Sequence, residues 1–294
     1  MTGVNDKLYI AGISSTKLGK RPDASVKQMV REAVEAALAD AGASVGDIDA
    51  AWFSNTRQPM LEGQNTVRGQ IALRPLGFES VPVVNIENAC ASGSSALIQA
   101  MAHLRAGMAD IALVVGAEKM VFPDRPEAMA AAFEGGTDIH NMEATKAFVR
   151  SLGGDADDES AGKRSIFMDL YAAQARAHMD RFGTTQKDFA AVAAKNHTHA
   201  RHNPLAQYRD PMSVEEVLAD KPIAFPFTRS MCAPLSDGAA AAVVCNAAGL
   251  ARLAEAKPRA LTIRASTLRS GVDRETGEFE RHIGRLTAQI QHMK

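Results

Sequence analysis

The chain has 294 residues, 46% of them hydrophobic, which is enough to build one large domain or two modest ones around a buried core. Its 33 basic and 34 acidic side chains give a formal net charge of −1 and are mixed along the chain, which argues against a nucleic-acid-binding or anionic-membrane surface. Three widely spaced cysteines argue against a disulfide framework and a structural zinc site, so we expect reduced thiols in a cytoplasmic setting.

The first part of the chain predicts alternating strands and helices. Residues 1–8 lack the apolar core of a signal peptide, and no later apolar run reaches membrane-spanning length, so we expect a soluble protein. Ser25, with Gln28 three residues later, predicts a capping box for a helix that Gly42 ends. Apolar periodicity predicts strands at 8–14, 48–53, 81–86 and 111–115 and further helices at 65–73 and 92–106. This alternation predicts an α/β fold with a mainly parallel sheet and ligands near the strand ends.

Cys90 lies at the turn between the third predicted strand and the helix that follows it. The free N–H groups and the positive end of that helix favour the thiolate. Ala89, Ala91, Ser92 and Gly93 leave the sulfur uncrowded, as a nucleophile that meets an acyl carbon requires. The alternative is that Cys90 is a small buried packing residue, as free cysteines commonly are.

Between residues 121 and 225 the alternation stops, which predicts an inserted, mostly helical subdomain. Its main helices are predicted at 166–182 and 186–200, and Thr185 begins the second one with Asp188 three residues later. The acidic run at 151–159 is interpreted as a solvated loop.

The histidines and the other cysteines are further site candidates. His103 lies about three turns along the helix from Cys90, which is too far for it to act as the base of that thiol. Cys232 and Cys245 are interpreted as packing residues, with Cys232 a minor candidate for a second thiol. Three histidines in the inserted region do not share one helical face and have no carboxylates clustered with them, so no metal site is expected. These are His197, His199 and His202.

The last part of the chain returns to the first pattern. Residues 239–245 predict a strand that completes the first sheet, and 247–254 predict a helix. Residues 261–271 repeat the pattern of 9–19, an apolar strand followed by a Ser/Thr turn. An apolar stripe at helical spacing follows, formed by Phe279, Ile283, Leu286 and Ile290.

Three motifs together resemble the thiolase superfamily. The first is Asn-Ala-Cys-Ala-Ser-Gly at 88–93, with Ile-Ala-Leu-Val-Val-Gly-Ala-Glu-Lys-Met at 111–120 after the helix. The second is Ser-Asp-Gly-Ala-Ala-Ala within 231–241. The third, Lys-Asn-His at 195–197 with Asn-Pro-Leu-Ala-Gln-Tyr at 203–208, is similar to the sterol-carrier-protein-type branch. The resemblance covers nearly the whole chain.

The resemblance implies a layered thiolase-like fold. Residues 1–120 with 226–256 would form its N-terminal domain, 121–225 an inserted loop domain over coenzyme A, and 257–294 the start of a C-terminal domain. It also implies that Cys90 carries the acyl group and that Met168 lies against the pantetheine arm, although packing alone explains Met168 equally well. Coenzyme A and acyl-CoA would be substrates, with no resident cofactor. Two copies of the chain would form a homodimer through the strand near Cys90.

The family's Gly-His-Pro and second Cys-x-Gly segments are not found in the sequence. We therefore expect either that the chain is truncated, which we favour, or that a second chain completes the fold. A thiolase also needs a base and oxyanion donors, and the sequence identifies the nucleophile alone.

The resemblance predicts an acyl-CoA acyltransferase that cleaves or forms a 3-oxoacyl-CoA through a Cys90 acyl-enzyme. One alternative is a CoA-dependent retro-aldolase that works with a small partner protein. Cys90 argues against it, because aldol cleavage needs no covalent acyl carrier. Another alternative is a non-catalytic subunit that binds acyl-CoA or a partner.

Overall fold

A computed structural model describes residues 7–154 and 165–269. The stripe at 279–290 and most of the acidic run lie outside the described residues. The chain divides into two compact units. Among the described residues, one unit comprises 7–16, 23–119 and 237–269 and is called the sheet unit below. The other comprises 17–22, 120–154 and 165–236 and is called the helical unit. The domain bounds predicted from the sequence, at 1–120 with 226–256, 121–225 and 257–294, stay a prediction.

The sheet unit is built on six strands in the order β3-β2-β4-β7-β1-β8. The strands of this sheet are β1 Tyr9–Ser15, β2 Ala50–Ser54, β3 Val83–Ile86, β4 Ile111–Glu118, β7 Gly238–Cys245 and β8 Leu261–Thr262. Two short strands, β5 Pro222–Ala224 and β6 Phe227–Thr228, pair in the helical unit. The α/β class predicted from the sequence is confirmed.

The prediction of a mainly parallel sheet is wrong. β2 is parallel to β3 and to β4, whereas β7 is antiparallel to both β4 and β1, and β8 is antiparallel to β1. The reason lies in the connection between β4 and β7. β4 ends at Glu118, and β7 begins directly opposite it at Gly238. Because the chain leaves β4 and enters β7 at the same end of the strands, β7 must run in the opposite direction to β4. Alternation of elements along the sequence does not reveal this.

Ten helices are described: α1 Val26–Ala41, α2 Gln58–Glu62, α3 Arg68–Leu73, α4 Ser92–Arg105, α5 Pro126–Glu134, α6 Met142–Ser151, α7 Ile166–Phe182, α8 Gln186–Ala200, α9 Val214–Ala219 and α10 Ala247–Arg252. The bounds predicted for α7 and α8 are confirmed, and so are the capping boxes at Ser25 and Thr185. The helix predicted at 65–73 begins late, because Val67 has a left-handed φ of 47°. The strand predicted at 111–115 continues to Glu118.

The sheet of this unit is covered on both faces. On one face α1 buries an apolar stripe that includes Met29, Val30 and Val34, together with residues of α3 and α10. On the other face α4 buries Met101 and Leu104 against the sheet. Each such fully buried side chain stabilises the fold by about 1.5–3 kcal/mol. Because both faces are covered, β2 is buried at all five positions and lacks polar alternation.

The described residues of the helical unit form two small cores. Val149 of α6 packs with Leu170 and Ala173 of α7. Ala190 of α8 packs with Val217 of α9 in the second core. The predicted helical character of this region is confirmed by α5 to α9.

Candidate active site

Cys90 lies in a tight 3-10 turn, Ala89–Ala91, between β3 and the first residue of α4. Its thiol is exposed, so the alternative of a buried packing residue is wrong. Ala89, the residue before it, has a φ of 45°, which is a left-handed conformation that costs an L-residue with a Cβ about 1–2 kcal/mol. Strain of this kind persists only when the surrounding structure holds it in place.

The Ala89 carbonyl is held by two side-chain hydroxyls. Thr56 Oγ1 donates to this oxygen over 3.1 Å, and Ser92 Oγ donates to it over 2.7 Å. Ser92 Oγ in turn accepts the Asn88 N–H over 2.8 Å, and Glu87 Oε1 accepts the Ala89 N–H over 2.7 Å. The peptide that precedes Cys90 is therefore held from both the strand side and the helix side.

Thr56 belongs to the turn that follows β2, and Glu118 holds that turn. The Glu118 carboxylate accepts the backbone N–H groups of Thr56 and Arg57, the second over 3.2 Å, and the Asn55 side-chain amide over 3.2 Å. Burial raises the pKa of Glu118, while the two backbone hydrogen bonds and the charges of Arg57 and Arg68 act in the opposite direction. The carboxylate is thus mostly removed from water and surrounded by donors.

Asn55 joins this turn to α3. Its side chain is buried, with 1% exposure, and its Nδ2 donates to the Ala117 carbonyl over 2.7 Å. Arg68 Nη1 donates to both Asn55 O and Asn55 Oδ1, each over 3.0 Å. At the next residue, Gly69, a Cβ would lie 2.6 Å from Phe53 Cβ, so α3 approaches β2 more closely than any side chain would permit.

The remaining sequence candidates occupy other places. Met168 is partly buried on α7 in the helical unit. Cys232 is partly buried in the same unit, where burial raises the pKa of its thiol, and Cys245 is buried in β7, where burial raises the pKa to about 11. His197 Nε2 lies 3.1 Å from the Ser230 carbonyl oxygen, as a structural histidine would.

Neither a membrane span nor a metal cluster is found in the described ranges. Within residues 7–154 and 165–269, no helix has the length and apolar character needed to cross a bilayer. The same residues contain no group of three or more His, Cys, Asp or Glu side chains that could hold a metal ion.

Sequence reasoning missed three residues of this site, Asn55, Thr56 and Arg68, and gave Glu118 no role. A signal for three of these four residues was present, because Asn55 and Thr56 directly follow β2 and Glu118 ends β4, the neighbouring parallel strand. Polar residues at the carboxyl ends of adjacent parallel strands meet at one edge of a sheet. Arg68, on a helix of six residues, carried no such signal.

Comparison with known proteins decides the family. The family described as "Thiolase, N-terminal domain" matches residues 8–221. The chain belongs to the thiolase family.

Relatives of this thiolase-family chain include an acetyl-CoA acetyltransferase of Methanothermobacter thermautotrophicus, which is 33% identical over 239 residues, 81% of this chain and 56% of the relative. Sterol carrier protein 2 of Oryctolagus cuniculus is 29% identical over 250 residues, 82% of this chain and 41% of the relative. The resemblance drawn from the motifs around Cys90 is therefore confirmed. The chain spans about half the length of these curated relatives.

A solved structure shares the thiolase fold of this chain. It is titled "Ltp2-ChsH2(DUF35) aldolase", and it matches with a TM-score of 0.61 and 24% sequence identity over 84% of this chain and 57% of that one. At this identity the likeness concerns the fold alone. The match agrees with the thiolase-like α/β architecture predicted from the sequence.

Proposed function

We propose that this chain carries the nucleophile of a thiolase-type acyl-CoA acyltransferase and that Cys90 is that nucleophile. The observation that carries the proposal is the exposed Cys90 thiol on a strained turn at the start of α4. An exposed sulfur at the start of a helix can reach an acyl carbon, as a covalent nucleophile must. The acetyl-CoA acetyltransferase relative supports the same class of reaction.

The reaction would proceed in two steps, acylation of Cys90 and transfer of the acyl group to coenzyme A. The Cys90 thiolate adds to the C3 keto carbon of a 3-oxoacyl-CoA, and the bond between C2 and C3 breaks as the acyl-cysteine thioester forms. The leaving enolate takes up one proton and becomes acetyl-CoA. The thiol of free coenzyme A then loses a proton, attacks the thioester and regenerates the Cys90 thiolate, and the reverse sequence is the Claisen condensation.

The substrates and partners follow from the same proposal. Coenzyme A and acyl-CoA would bind without a resident cofactor, with Met168 of α7 against the pantetheine arm. A homodimer would form along β3, which lies at the edge of the sheet and pairs with β2 on one side. An unpaired strand edge offers N–H and C=O groups to a second copy.

A CoA-dependent retro-aldolase with a small partner protein is the second candidate. A protein of the same fold is titled "Ltp2-ChsH2(DUF35) aldolase", so the reaction class that this title names is tested beside acyl transfer. Aldol cleavage needs a base and no acyl-cysteine, so the state of Cys90 separates the two reactions. A non-catalytic subunit would leave Cys90 unmodified in the same way.

The test is mass spectrometry with peptide mapping after the chain is mixed with acetoacetyl-CoA. We expect an acetyl group on the peptide that contains Cys90 and none on Cys232 or Cys245, because burial keeps those two thiols protonated. A Cys90→Ser variant should form no thioester and should unfold at nearly the same temperature, since the change opens no large cavity.

An unmodified Cys90 beside saturable coenzyme A binding would contradict the proposal. That result would favour the retro-aldolase or the non-catalytic subunit. Release of an aldol product on addition of a small partner protein would then distinguish between those two.

A further inference from the structure

The turn that carries Cys90 is held by residues that are distant in sequence. Thr56 lies 33 positions before Ala89, and its hydroxyl nevertheless donates to the Ala89 carbonyl over 3.1 Å. A peptide group is planar, so fixing this carbonyl also fixes the direction in which the chain enters Cys90. The bond is exposed, so it lies at the surface where the thiol is open, away from the cores of the unit.

Thr56 is itself held by Glu118, 62 positions later in the chain. Three donors converge on the Glu118 carboxylate: the N–H groups of Thr56 and Arg57 and the Asn55 side-chain amide. An ionised carboxylate accepts all three, whereas an amide of the same size would turn an NH2 group toward one of the donors. A continuous hydrogen-bonded path therefore runs from the end of β4, through the turn after β2, to the peptide before Cys90.

We propose that Thr56 and Glu118 are positioning residues for the Cys90 nucleophile. Glu118 fixes the turn at Asn55, Thr56 and Arg57, and the Thr56 hydroxyl then fixes the left-handed Ala89 peptide, which aims the Cys90 thiol at the acyl carbon. The inference deepens the acyl-transfer function proposed above and rests on it. Both residues act through the peptide that precedes Cys90.

Thr56 is tested with two matched substitutions. Thr56→Val keeps the shape and removes the hydroxyl, and Thr56→Ser keeps the hydroxyl. We expect Thr56→Val to lower the single-turnover rate of Cys90 acetylation by acetoacetyl-CoA at least about tenfold, since a misplacement of 1 Å costs about 10²-fold. Thr56→Ser should restore most of that rate. Thr262→Val, at an exposed position of β8 in the same unit, is the surface control and should leave the rate unchanged.

Glu118 is tested with Glu118→Gln and with the double variant. If the two residues act along one path, Glu118→Gln should lower the rate as Thr56→Val does, and the double variant should be no slower than the slower single variant. Additive losses would show two independent roles and would overturn the proposal. Equal rates for Thr56→Val and the wild type, or equal losses for Thr56→Val and Thr56→Ser, would overturn it as well.

A readout without acyl transfer separates this inference from the proposed function. We expect faster amide hydrogen exchange at residues 88–92 in Thr56→Val and Glu118→Gln than in the wild type, and Thr56→Val should keep an unfolding temperature close to the wild-type value. If the wild type forms no thioester, the proposed function fails, and the exchange measurement still tests the positioning. Unchanged exchange at residues 88–92 in both variants would overturn the positioning in either case.

Discussion

At the scale of single residues, the three cysteines differ in how far the fold exposes them. Cys90 is exposed at the start of α4, Cys232 is partly buried, and Cys245 is buried in β7. Desolvation disfavours the charged form of a thiol, and it raises the pKa of both Cys232 and Cys245. Cys90 is therefore the most exposed of the three thiols, which is why the proposed nucleophile is assigned to it.

Asp220, in the helical unit, gives a prediction about stability and pH. The Ser230 hydroxyl, the Lys221 N–H and the Arg229 guanidinium lower the pKa of Asp220 from 3.8 to about 2, against the effect of burial. A lowered folded-state pKa means that the carboxylate stabilises the folded state above the unfolded pKa. This contribution is lost as the pH falls from about 4 to about 2.

We expect Asp220→Asn to unfold at a lower temperature than the wild type at pH 7, and the difference should shrink as the pH falls toward 2. Thermal unfolding followed by circular dichroism across this pH range measures it. Asp210→Asn, at an exposed position, is the control. A difference between Asp220→Asn and the wild type that stays constant from pH 7 to pH 2 would contradict the assignment.

At the scale of elements, α1 depends on Ser25, the residue that caps its N-terminus. Ser25 accepts the Gln28 N–H over 3.2 Å, and Gln28 Oε1 accepts the Ser25 N–H over 2.7 Å. This capping box satisfies two donors at the start of a helix whose buried stripe covers one face of the sheet. The Gly42 C-cap, with a φ of 59°, ends the helix as the sequence predicts.

We expect Ser25→Ala to lower the free energy of unfolding by about 1 kcal/mol, because it removes the acceptor for the Gln28 N–H. Ser25→Asp keeps an acceptor at this position and should retain most of the stability. Urea unfolding of the three proteins measures the difference. Equal losses for the alanine and aspartate variants would show that the side-chain cap does not stabilise α1.

At the scale of the whole molecule, turnover requires more groups than Cys90. In the described ranges of the sheet unit the sequence contains a single histidine, His103. It lies about 20 Å along α4 from Cys90 at a rise of 1.5 Å per residue, and its ring contacts that of Trp52. His103 is therefore unsuited to act as the base for Cys90.

We expect residues 1–294 to acetylate slowly at Cys90 and not to turn over in an acetoacetyl-CoA thiolysis assay. Loss of an oxyanion donor typically costs about 10²–10³-fold in rate, and loss of a general base about 10²–10⁴-fold. The comparison is the same chain co-expressed with a partner protein. Robust multiple turnover by residues 1–294 alone would overturn this expectation and direct attention to Asp237 and to His197, His199 and His202 as bases.

The sequence by itself determined the local features of this protein. The capping boxes at Ser25 and Thr185, the end of α1 at Gly42 and the position of Cys90 between a strand and a helix each depend on residues within a few positions of one another. Local chemistry specifies such features. The motifs around Cys90 also carried the family, which the match to residues 8–221 confirms.

The tertiary structure alone decided the direction of β7 and the hydrogen-bonded path to Cys90. The direction of β7 depends on where the chain re-enters the sheet after residues 119–237, which separate β4 from β7. The apolar periodicity of the sequence does not indicate that direction. The second joins Thr56, Ala89 and Glu118, which are 33 and 62 positions apart. Contacts over such separations depend on the pairing of β2 with its neighbouring parallel strands, which places these residues at one edge of the sheet.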